Sequence, residues 1–113
     1  MIDTARLKKT LVNHKFRALL FPNESTYLKI KTKDQLFTIQ LSKECIEIID
    51  NWEGTSDVVL SGDSTVLNEI LYGHMKLQDA KELNSIIVEG SFRHQLMMEA
   101  ILWFNQKLPL TSQ

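Results

Sequence analysis

Three histidines, one cysteine and a serine-bearing turn are the residues of this chain that could do chemistry, and their spacing argues against the usual uses. His14, His74 and His94 are widely separated, none belongs to an H-E-x-x-H pattern, and none has a cysteine nearby. No metal site is expected from them, because a metal needs several donors gathered at one point. Cys45 is the only cysteine, which excludes an internal disulfide and a multi-cysteine zinc site; within a strand it reads as a small buried hydrophobe. Ser61-Gly62-Asp63-Ser64 places hydroxyls at a strand-to-helix turn but lacks the G-x-S-x-G elbow that lifts a nucleophile above a sheet. Asp63 and Ser64 read instead as helix caps, whose oxygens accept from unpaired first-turn amides. Neither G-x-x-x-x-G-K-S/T nor G-x-G-x-x-G occurs. The residues therefore point to no catalytic residue, no cofactor, no metal and no enzyme.

What must position any remaining function is one domain, residues 1–113, since a chain of this length has no need of a second core. Its composition, 43% hydrophobic and 24% charged, is that of a water-soluble domain, and no apolar run reaches the roughly 18 to 20 residues that span a bilayer. The first residues lack the apolar core of a signal peptide, so the expected location is cytoplasmic. Net charge is -1, yet residues 1–43 carry nine Lys/Arg against three acids and the remainder carries four against eleven. That split could turn the chain toward an anionic membrane surface for transient contact; folding that intermixes the charges is the alternative. Nucleic-acid binding is not expected, because a near-neutral chain whose aromatics lie within apolar patterns offers no basic, stacking surface.

Residues 1–21 read as one amino-terminal helix stopped by Pro22, with two apolar stripes, Leu7-Leu11-Ala18 and Ala5-Val12-Phe16-Leu19. Residues 26–108 then read as a sheet and its covering helices. Tyr27 to Lys31 alternates strictly, Leu36 to Leu41 puts Phe37, Ile39 and Leu41 on one face with Thr38 and Gln40 opposite, and Cys45 to Ile49 completes an antiparallel meander with one wet face. Asp57 to Ser61 is a fourth strand and Ile86 to Glu89 a fifth. Between them a helix with Val66, Leu67, Ile70 and Leu71 on one face ends at Gly73, where a left-handed cap favours a residue without Cβ. A weaker helical stripe of Met75, Leu77, Ala80 and Leu83 follows.

The last helix, Phe92 to Leu108 before Pro109, is too apolar for one ordinary face. Phe92, Leu96, Met97, Ala100, Ile101, Trp103, Phe104 and Leu108 make an arc expected to face the core, while Met98 and Leu102 sit among His94, Gln95, Glu99, Asn105 and Gln106 on the other. The apolar excess fits either a large solid core or walls around a cavity, and Met75, Met97 and Met98 suit both.

The order of elements resembles the sterol carrier protein type-2 family, on Asp57 to Ser61, the helix ending Leu71-Tyr72-Gly73, the Leu77 to Leu83 segment, Ile86-Ile-Val-Glu-Gly90 and the helix beginning at Phe92. The chain departs from it at Lys43-Glu44 and Asn84-Ser85, where the family often has glycine. The resemblance implies an α+β fold, a five-stranded, mainly antiparallel sheet with helices on one face, and a lipid-holding cavity without a catalytic centre. Leu67, Ile70, Leu71, Met75, Leu77, Met97, Ile101 and Phe104 are then the expected walls. The partner would be a hydrophobic small molecule or lipid: a fatty acyl chain, sterol, isoprenoid or phospholipid. The alternative is a protein-interaction or enzyme-accessory module with a closed cavity, meeting a protein partner or a second copy through Met98 and Leu102.

Overall fold

Alternation along the strands decides which side of the sheet is inside. In the computed structural model, which describes residues 1–105, β1 (Thr26–Lys31) buries Thr26, Leu28 and Ile30 and leaves Lys29 half-buried and Lys31 exposed on the opposite face. β2 (Leu36–Leu41) buries Phe37, Ile39 and Leu41 on that same side, set by the antiparallel register Leu28↔Ile39 and Ile30↔Phe37. β3 (Ile46–Asp50) continues the meander, β4 (Val58–Gly62) runs parallel to β1, and β5 (Ile86–Gly90) is antiparallel to β4. The resulting order, β3-β2-β1-β4-β5, is the mainly antiparallel five-stranded sheet expected. On the wet face Trp52 stacks on Tyr27, with ring centroids 5.0 Å apart.

Helices cover the other face. α3 (Ser64–Leu71) begins where Asp63 accepts from the Thr65 amide and buries Leu67, Ile70 and Leu71. It ends at Gly73, whose φ of +76° is the left-handed cap expected; a Cβ there would meet the Trp103 carbonyl oxygen at 2.5 Å. α4 (Leu77–Glu82) buries Leu77 and Ala80, and α5 (Phe92–Trp103) is capped by Ser91, which accepts from the His94 amide. No helix among the described residues is long and apolar enough to cross a membrane.

Two expectations are corrected. The amino-terminal helix is two: α1 (Thr4–Val12) and α2 (Arg17–Leu20). The chain turns between them because the His14 ring leaves the helical path and goes inside, where it takes a hydrogen bond at each nitrogen. That break explains the two stripes: Leu7 and Leu11 are buried, whereas Leu19 is 80% exposed. The last helix ends at Trp103 with Phe104 as its cap, short of the expected Leu108; Leu108 and the stop at Pro109 lie outside the described residues.

Candidate functional site

α5 is rotated relative to the sequence reading. Met98, Ile101 and Leu102 are at most 1% exposed and pack into the core, together with buried Gln95 and Asn105. Met98 and Leu102 are therefore not the exposed interaction surface expected of them. Phe92, Leu96 and Phe104, assigned to the core arc, are exposed. The physical reason lies in the two polar residues. Gln95 donates from Nε2 to the Gly90 carbonyl and accepts at Oε1 from Gln78 Nε2 and Lys81 Nζ, while Asn105 Nδ2 donates to the Leu71 carbonyl and the Thr10 hydroxyl. Each tethers α5 to the rest of the fold, so the face that holds them turns inward.

The expected walls consequently divide. Leu67, Ile70, Leu71, Leu77 and Ile101 are buried in the core between the helices and the sheet. Met75 and Met97 are half-buried and pack against that core. Phe104 is 39% exposed and meets Phe16 edge-on, ring centroids 5.4 Å apart. Met97, Ile101 and Phe104, at i, i+4 and i+7, share the edge of α5 that faces the His14–Phe21 segment. The seam is closed by His14, whose Nε2 donates to the Ile101 carbonyl at 2.8 Å while Nδ1 accepts from the Phe16 amide at 3.0 Å. Those two bonds require the neutral ring with its proton on Nε2. Burial pushes the His14 pKa below its ordinary 6.5, against the upward pull of the bond to Ile101.

Beside the amino-terminal end of α5 lies a cleft of about 500 Å³, lined by Pro22 to Thr26, Asp57, Arg93, His94 and Met97. Met97 is the one expected wall residue in it. Pairing of β4 with β5, Val58↔Gly90, brings Asp57 beside the start of α5. Gly90, at φ +127°, permits this approach, since a Cβ there would strike the Asp57 carbonyl oxygen. Asp57 Oδ2 accepts from the Tyr27 amide at 2.9 Å, and its Oδ1 lies 4.0 Å from His94 Nε2. Ser91 Oγ lies 2.8 Å from His94 Nδ1.

Ser91, His94 and Asp57 have the composition of an acyl-transfer triad without its geometry. Ser91 Oγ already caps α5, and 4.0 Å is too long for a hydrogen bond from His94 to Asp57. What the cleft offers is a polar mouth of both charge signs with one methionine, Met97, that packs against the core behind it. Periodicity misses it because Asp57 and His94 meet only through strand pairing; Ser91-x-x-His94 announces no more than a cap.

No protein-family model matches the chain. It is 34% identical over 77 residues to the SCP2 domain-containing protein YusD of Bacillus subtilis (strain 168), an alignment covering 60% of this chain and 68% of that protein. The fold is similar to the solution structure of the sterol carrier protein domain 2 of Helicoverpa armigera, with a TM-score of 0.65 or better also reached by a second solved structure. For the Helicoverpa domain the TM-score is 0.68 at 12% identity, covering 95% of this chain and 87% of that one. The second is described as UbiJ-SCP2 ubiquinone synthesis protein: TM-score 0.65, 16% identity, and 87% of each chain covered.

Proposed function

The chain belongs to the SCP2 domain family, and on that premise we propose that it holds a hydrophobic small molecule without chemically changing it. Such a guest, a fatty acyl chain, sterol, isoprenoid or phospholipid, enters at the cleft beside Met97. Its polar end stays with Arg93, His94 and Asp57, and its apolar part lies along Met97, Ile101 and Phe104. Leu67, Ile70, Leu71, Met75 and Leu77 form the wall behind. What supports this reading is Met97, which lines the polar cleft and packs against the apolar core behind it. Each buried methylene of a guest contributes about 0.8 kcal/mol, so affinity follows chain length far more than head group. A single free cysteine suits a cytoplasmic setting.

Mass spectrometry of solvent extracts from natively purified protein tests the proposal. A co-purifying amphiphile that is lost in Met97→Asp, with the fold retained by circular dichroism, supports it. Extracts free of amphiphile, from a protein that also fails to take up added oleate, refute it and leave the enzyme-accessory reading.

A further inference from the structure

Burial of Met98 and Leu102 leaves the larger apolar arc of α5 facing outward. Phe92 is 60% exposed, Leu96 44% and Phe104 39%, with the half-buried Trp103 on the same side of the helix. Monomeric soluble proteins rarely leave such a patch without use.

Most of the charges around it share one sign. Lys81 Nζ lies 5.9 Å from the centre of the Phe92 ring, Lys76 Nζ 5.2 Å from Trp103, and Lys15 Nζ 5.8 Å from Phe16, the ring that meets Phe104. Arg93 belongs to the same outward arc by helical spacing. Residues 44–105 are strongly acidic overall, yet their three cations, Lys76, Lys81 and Arg93, all converge here. Glu99 is the one acid of α5, and the acids of α4 are placed otherwise. Glu99 accepts from the Gln78 amide, Asp79 sits on the flank of α4 opposite Lys81, and Glu82 is at the exposed end of that helix.

Aromatic rings with lysine ammonium groups beside them are the composition of an interfacial face: rings enter the head-group boundary while cations stay at phosphate level. We infer that the outward face of α5 docks on an anionic lipid surface. Charge complementarity selects that occupant, because four cations framing an apolar strip match a negatively charged leaflet. The docking surface adjoins the Met97 cleft at Arg93 and the proposed guest at Phe104, while Phe92, Leu96, Trp103, Lys76 and Lys81 lie outside the cleft lining.

Co-sedimentation of ligand-free protein with phosphatidylcholine vesicles, with and without phosphatidylserine, tests it. Binding should appear with phosphatidylserine and weaken as salt is raised. Leu96→Glu and the double variant Lys15→Glu/Lys76→Glu should each reduce it at least about tenfold, whereas Ile87→Glu, at a 65% exposed position on the far face of the sheet, should leave it unchanged. Absence of binding to anionic vesicles would overturn the inference, as would equal losses in Leu96→Glu and Ile87→Glu. A dimer in solution that Leu96→Glu dissociates would also overturn it, assigning the face to a second copy. Oleate uptake, measured without vesicles, separates failure here from failure of the cleft proposal.

Discussion

Truncating two leucines six residues apart on α5 measures which way that helix faces. Leu102 is 1% exposed and Leu96 44%. Leu102→Ala removes three buried carbons, about 2.4 kcal/mol of transfer free energy, and the cavity left by incomplete collapse raises the cost to about 3 to 4 kcal/mol. Leu96→Ala removes the same carbons from a half-solvated position and opens no cavity, so about 1 kcal/mol is expected. An unfolding entropy of about 2.1 cal/mol/K per residue converts these costs, for this chain length, into drops in Tm of about 13 to 17 °C and about 4 °C. Scanning calorimetry and urea denaturation both report the difference. Equal losses, or a larger loss for Leu96→Ala, would refute the orientation of α5 and with it both the cleft and the docking face.

Further outcomes follow from the same contacts. Gly73→Ala should destabilise by at least about 1 to 2 kcal/mol, the cost of a left-handed backbone for a residue with Cβ, with the approach to the Trp103 carbonyl adding to it; a urea midpoint shifted by less would show that the turn relaxes. The native pKa of His14 is lowered from 6.5, so the unfolded chain takes up its proton first on acidification. His14 thus supports the fold fully above pH 6.5, and that support is lost as pH falls from 6.5 through the lowered native value. Urea midpoints across this window should fall more steeply for the wild type than for His14→Gln, and identical slopes would contradict the neutral, buried ring.

Strand faces and helix caps were legible because local chemistry dictates them. Leu28 and Ile30, Phe37 and Ile39, Asp63 before α3 and Gly73 after it all stand where period, side-chain oxygen and absent Cβ require. The rotation of α5 was not legible, since that helix is apolar on both sides and counting apolar residues selects the broader arc. Gln95 and Asn105 decided the matter through partners on Gly90, Leu71 and Thr10 that are distant in sequence or set by tertiary packing. The break at His14 was hidden for a related reason: no glycine or proline marks it, and the ring leaves the helical path for a carbonyl 87 residues away. The cleft needed β4 and β5 paired before Asp57 could meet His94.

The central proposal is a guest beside Met97, and methionine methyl resonances report on it directly, since the chain has four methionines. Titrating oleate into protein labelled at the methionine methyl groups should shift the Met97 signal saturably and leave Met1, 90% exposed at the terminus, unmoved. A Met97 resonance that stays in place while oleate rises to its solubility limit would contradict the proposal.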